Sequence, residues 1–163
     1  MKSCLLAEAW SGSGQTNHRA QGICLYSDRM IYSPRCPVLR RDSGGWLEKP
    51  YVVDFLTSPA PNAGAVRTNE PERAAEIEPA LRERSSKLPA LPASQSCDAL
   101  VLGAWGCGVF RNGSEVAASA FRALLSPAGP FWGRYRKVLF GVYDRSSEQT
   151  TFGAFARSFG GTS

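Results

Sequence analysis

Residues 98–112, DALVLGAWGCGVFRN, constrain the fold more tightly than any other stretch of the chain. Ala99, Leu100, Val101 and Leu102 form a short apolar run, the pattern of a strand buried on both faces, and it passes directly into Gly103, Gly106 and Gly108. After Phe110-Arg111-Asn112-Gly113-Ser114, the residues Val116, Ala117, Ala120, Phe121, Leu124 and Leu125 recur at helical spacing. Strand, glycine loop and helix in succession make a place to hold phosphate. Glycines let backbone N–H groups turn toward an anion, and the helix adds its unpaired N–H groups and positive dipole end.

Two further strands belong with this one. Tyr51–Thr57 is β-rich and nearly continuously apolar, with Pro50 before it and Ser58-Pro59-Ala60-Pro61-Asn62 after it. Lys137–Tyr143 runs out into Asp144-Arg145-Ser146. Met30–Pro34 and Pro37–Arg40, with a turn at Asp42-Ser43-Gly44-Gly45 before Trp46-Leu47, predict a β-excursion ahead of the main sheet. Between the strands, Thr68–Ser86 is charged and Ala-rich, with a helix start at Asn69-Glu70-Pro71-Glu72. Pro79 predicts a kink or interruption there, and Pro89 and Pro92 fit poorly with a continuous crossover helix. Ser147–Phe159, with Phe152, Phe155, Ala156 and Phe159 at helical spacing, predicts a closing helix. Strands alternating with helices predict a largely parallel sheet in an α/β layer fold whose strand-end loops, 58–62, 103–112 and 144–146, share one rim.

At 163 residues one domain is expected, with residues 1–29 as a poorly defined N-terminal segment and residues 30–163 as the folded unit. SGSGQTNHRAQG, residues 11–22, has no hydrophobic period and reads as loop. Lys and Arg outnumber Asp and Glu by 19 to 14 without a polybasic block, so direct DNA reading is not expected. Five cysteines with no C-x-x-C pair argue against a disulfide framework or a zinc site, and the single His18 against a Ser-His-Asp triad. These features predict a soluble, cytoplasmic protein in a reducing compartment, with no membrane contact, metal or cofactor.

The stretch ALVLGAWGCGVFRN, followed by VA and F-x-x-LL and then KVLFGVYDRS, resembles the microbial-type poly(ADP-ribose) glycohydrolases, as does MIYSPRCPVLRRDSGGWLEKPYVVDFLTSPAPNAGAV upstream. The likeness covers residues from Met30 to Phe159. It implies a macrodomain-like three-layer α/β/α fold with a mostly parallel mixed sheet. It also implies that Gly106, Cys107, Gly108, Val109 and Phe110 cradle the diphosphate of ADP-ribose, with Phe110 against the distal ribose. Asn62 of the A-P-N loop, and Tyr143 with Asp144, would contact the nucleotide from the same rim. The residues alone also allow Phe110 a place in the core, Asn62 a role as turn former and Asp144 one as strand stop. Cys107 reads as a small loop residue rather than a nucleophile.

The family's triple-glycine loop followed by Gln-Glu-Glu, which supplies the acid for cleaving the ribose–ribose bond, has no counterpart beyond a loose echo at Gly12-Ser13-Gly14-Gln15. Glycosidic cleavage needs such an acid. The chain therefore resembles the C-terminal portion of the family domain, lacking part of the N-terminal catalytic segment. Three readings follow: an enzyme acting on ADP-ribose polymers, including those on modified proteins, with an acid from residues 1–29 or Glu48; a non-catalytic ADP-ribose-binding module; or a truncated, inactive remnant. Glu115 sits where a helix's first turn favours an acid in any case.

Overall fold

The structure, a computed structural model, describes residues 1–8 and 24–160. The segment 11–22, with His18 and the Gly12–Gln15 pattern, lies outside the described residues. Five strands, β1 (Ser3–Glu8), β2 (Ile31–Arg40), β3 (Trp46–Ser58), β4 (Ala99–Gly103) and β5 (Lys137–Gly141), form one sheet in the spatial order β2-β3-β1-β4-β5. β1, β3, β4 and β5 are parallel, and β2 lies antiparallel on β3. Their shared direction brings the carboxyl ends of β1, β3, β4 and β5 to one rim. The fold is a mixed α/β fold with a mostly parallel sheet.

Two strands differ from the sequence reading. The expected excursion, β2, is an integral edge of the sheet, paired from Ile31↔Thr57 to Arg40↔Trp46. The segment given no element in the sequence, residues 3–8, is the central strand, with Leu5 in register with both Phe55 and Val101. SCLLAE has little periodicity of its own, and pairing with strands far away in sequence decides its conformation.

The helices are α1 (Ala63–Asn69), α2 (Ile77–Ser94), α3 (Ser114–Leu125) and α4 (Thr150–Phe159), with a 3-10 segment, Pro71–Glu76, leading into α2. The expectation of a kinked or broken crossover helix is corrected: α2 runs from Ile77 to Ser94 through Pro89 and Pro92. Pro79 falls in the first turn, where its missing N–H has no intrahelical partner to lose. Pro89 and Pro92 are fully buried, so their rings replace apolar core side chains. The Pro89 carbonyl accepts the Tyr135 hydroxyl, and the Pro92 carbonyl accepts the Cys97 N–H at 3.0 Å. Core packing thus offsets the roughly 3 kcal/mol a helix-interior proline costs.

Cys4, Leu56, Leu100 and Leu102 of the sheet pack with Leu81 and Leu88 of α2, Phe121 of α3 and Phe155 of α4. Phe140 is the aromatic hinge of this core, 5.7 Å from Phe121, 5.3 Å from Phe155 and 4.3 Å from Phe159. No helix among the described residues is long and apolar enough to cross a membrane.

Toward the amino ends of the parallel strands lies a buried polar knot. Asp54, 2% exposed, accepts the Arg35 N–H at 2.8 Å and the Tyr32 hydroxyl, and pairs with Lys2 at 3.1 Å. Arg35 has φ of 55°, at a register shift between Ser33 and Cys36, so a β-bulge aims its N–H at the carboxylate. Burial opposes ionisation of Asp54, but these partners outweigh it and hold its pKa at about 2.

Candidate functional site

The glycine loop leaves β4 at the rim and is anchored before it turns. Trp105 is buried, donates its indole N–H to the Ser58 carbonyl at 3.2 Å, and meets Phe121 edge-on at 6.5 Å. Gly106 then takes φ of +75°, a left-handed conformation that glycine adopts without strain. Asn112 closes the loop: its side-chain NH2 donates to the carbonyls of Gly106 at 2.9 Å and Pro61 at 2.8 Å, and its own N–H donates to Gly106 O at 3.0 Å. Arg111, with φ of 54°, makes the reverse turn into α3.

Between these fixed ends the loop crest faces open space. Among the described residues, chain neighbours aside, no atom stands within 4 Å of where a Gly108 Cβ would lie, and Val109 is 88% exposed. Among the described residues the N–H groups of Gly108, Val109 and Phe110 donate to nothing, whereas those of Cys107 and Arg111 bond to Ala104 O and Gly108 O, both at 3.0 Å. The crest leads into α3, whose cap residue Gly113 supplies no side-chain oxygen to the first-turn N–H groups. Consecutive unpaired amides before an uncapped helix start form a local positive field suited to an anion. A cleft of about 170 Å3, lined by Leu6, Gly103, Ala104 and Trp105, opens beside the loop.

The structure brings the A-P-N loop against the glycine loop. Gly64 N–H donates to Phe110 O at 3.0 Å, and Ala60 lies against Gly106. Asn62 itself caps α1: its side-chain oxygen accepts the Ala65 N–H at 3.0 Å, and its N–H donates to Cys24 O at 2.9 Å. Phe110 is half-buried, its ring 5.8 Å from that of Tyr26. Cys107 is half-buried as well, and its thiol points at Trp105 O at 3.7 Å.

Asp144 stands on the same rim at the end of β5, but its bonds run to its own loop and helix. One oxygen accepts Ser146 N–H at 2.9 Å and the Ser146 hydroxyl at 2.7 Å, the other the N–H groups of Thr151 at 2.9 Å and Phe152 at 3.2 Å. The Ser146 hydroxyl foremost, with those N–H groups, holds its pKa at about 2. Tyr143 is 77% exposed, with Arg145 over its ring at 5.2 Å.

Glu48 and Glu115 are placed differently. Glu48 lies ten residues before the rim end of β3, roughly 33 Å along an extended strand. Glu115 is exposed and paired with Arg157 of α4. Sequence reasoning passed over three residues that shape the site. Trp105 and Asn112 flank the glycines, and their positions at either end of the loop were the available signal. Arg84, fully buried beneath the rim, gave no signal in a charged helix.

No family model and no curated protein matches the chain. Solved structures do. Poly(ADP-ribose) glycohydrolase from Deinococcus radiodurans in complex with ADP-ribose is 34% identical, with a TM-score of 0.82 over 98% of this chain and 75% of that one. The enzyme from Thermomonospora curvata is 37% identical, with a TM-score of 0.81 over 98% and 69%. A variant of the Deinococcus radiodurans enzyme, also in complex with ADP-ribose, is 42% identical, with a TM-score of 0.80 over 87% of this chain and 56% of that one. This chain thus spans between about half and three quarters of the length of these relatives. Identity at this level over most of both chains, with a shared fold, places it: the chain belongs to the microbial-type poly(ADP-ribose) glycohydrolase family.

Proposed function

We propose that this protein binds ADP-ribose, free or as a unit of poly(ADP-ribose) on modified proteins, with the diphosphate on the 106–110 crest and Phe110 against the distal ribose. The observation that carries this reading is the row of N–H groups at Gly108, Val109 and Phe110 that donate to nothing among the described residues, ahead of the start of α3, whose N-cap glycine has no capping side chain. Relatives solved with ADP-ribose support the choice of ligand. Asn62 and Asp144 share the rim, and any contact they make to the nucleotide is added to the capping bonds described above. The five free thiols accord with a reducing compartment.

Calorimetric titration with ADP-ribose tests the reading. Saturable heat is expected from the native chain and none from Gly108→Glu, which would place a carboxylate in the open crest. Absence of heat from the native chain at millimolar ligand would reject it.

Family membership favours a second reading, hydrolysis of ribose–ribose bonds. That reaction needs a carboxyl group at the leaving oxygen. Asp28 and Asp144 are already bound to other groups, and Glu48 and Glu115 are placed as described above. Release of ADP-ribose from automodified polymer separates the two readings: turnover requires the hydrolytic one, and binding without turnover supports a non-catalytic module.

A further inference from the structure

Arg84 is fully buried in α2 yet carries a charge, and its guanidinium faces two loops rather than one partner. Nε donates to Asp28 Oδ1 at 2.9 Å and Nη1 to Pro59 O at 2.8 Å, while Nη2 reaches Leu25 O at 3.1 Å and Tyr26 O at 3.3 Å. Three of these four acceptors are backbone carbonyls. Arg84 therefore recognises the course of two loops, 24–28 and 59–62, more than any side chain. The same loops carry the groups that support the glycine crest. Tyr26, in a left-handed conformation at φ of 59°, sets its ring against Phe110, and Pro61 O receives the Asn112 side chain that closes the loop.

We infer that Arg84 is a positioning residue for the ADP-ribose site, holding Tyr26 and the Pro59–Asn62 turn so that Phe110 and the 106–110 amides are presented in binding geometry. The inference rests on the proposed reading of that crest. A planar fork with five donors can serve carbonyls on two loops at once, whereas a lysine at the same depth offers a single point of attachment. Asp28 balances the charge of Arg84, and Lys87, which also binds Asp28, has Glu83 at 3.1 Å as a second partner, so two cations meet two carboxylates without a contact to the ligand.

The test uses Arg84→Lys in the full 163-residue chain, read by ADP-ribose calorimetry and by amide hydrogen exchange. Exchange at 24–28 and 59–62 is expected to rise about tenfold while β4 amides stay within about twofold, because opening is confined to the loops. Affinity is expected to fall about tenfold in the native background and less than about threefold in a Phe110→Ala background, the non-additivity of residues acting through one contact. Equal losses in the two backgrounds, or unchanged loop exchange with binding intact, would overturn the role of Arg84 alone. A native chain that gives no heat overturns the binding reading, and the inference with it. If Arg84→Lys does not fold, Asp28→Ala removes the acceptor of one limb of the fork and is expected to move both readouts in the same direction by less. No movement in that variant would also count against the inference.

Discussion

Gly106 and Asn112 lock one another: the Asn112 side chain and main chain both donate to the Gly106 carbonyl, and the space where a Cβ at position 106 would lie is filled by the Asn112 amide and by Ala60, 2.6 Å away. With φ of +75° added, Gly106→Ala meets backbone strain and overpacking together. An expected loss of about 2–4 kcal/mol follows, measurable by urea unfolding. Asn112→Ala strands the Pro61 carbonyl and removes one of the two donors to Gly106 O, with an expected loss of about 1–3 kcal/mol. A Gly106→Ala variant as stable as the native chain would contradict this account of the loop.

Gly108 is expected to behave in the opposite way. Its Cβ would meet nothing within 4 Å among the described residues and its φ is ordinary, so Gly108→Ala is expected to leave stability within about 0.5 kcal/mol of native. A methyl group on the open crest would nevertheless stand where the diphosphate approaches the amides. ADP-ribose affinity is expected to fall about tenfold, a difference of roughly 1.4 kcal/mol. Undiminished affinity in this variant would move the ligand off the crest.

The contrast between these glycines marks what the sequence made legible. Strand β4, the loop and α3 adjoin one another in the chain, so local pattern was enough to predict them, and which residues face outward followed from the fold. Ser3–Glu8 was not legible, because a six-residue strand is defined by its pairing with residues about fifty and a hundred positions away. The prolines of α2 misled for the same reason: local propensity disfavours them, and burial against the sheet outweighs it. Arg84 lies beside Arg82 and Glu83 in a charged segment, and only the tertiary course of two loops separates a buried fork from a solvated one.

Asp144 offers a sharper division between scaffold and ligand contact. Both of its oxygens accept bonds from its own loop and the first turn of α4, so Asp144→Ala removes the only side-chain cap those N–H groups have among the described residues. The thermal midpoint is expected to fall, with ADP-ribose affinity within about twofold of native, since capping losses spread little beyond the first turn. A tenfold loss of affinity at an unchanged midpoint would instead make Asp144 a ligand contact.

The buried knot at Asp54 predicts how stability responds to acid. Its ordinary pKa of 3.8 is depressed to about 2, so the folded state binds this proton less readily than the unfolded chain does. Its contribution is therefore fully present above pH 4 to 5 and lost as pH falls through about 4 to 2, and the shift corresponds to about 2 kcal/mol. The carboxyls of Asp144, Asp28 and Glu76 are held below their ordinary values as well, so their protonation also weakens the native chain in acid. It does so equally in Asp54→Asn, which isolates Asp54 by difference. That variant is expected to be about 2 kcal/mol or more less stable at pH 7, since Lys2 loses its charged partner and the Arg35 N–H its charged acceptor. Between pH 4 and 2 the gap is expected to narrow as the native carboxylate takes up its proton. Urea unfolding of both proteins at pH 7, 4 and 2.5 measures it, and parallel pH profiles would show that Asp54 does not carry the acid sensitivity assigned to it.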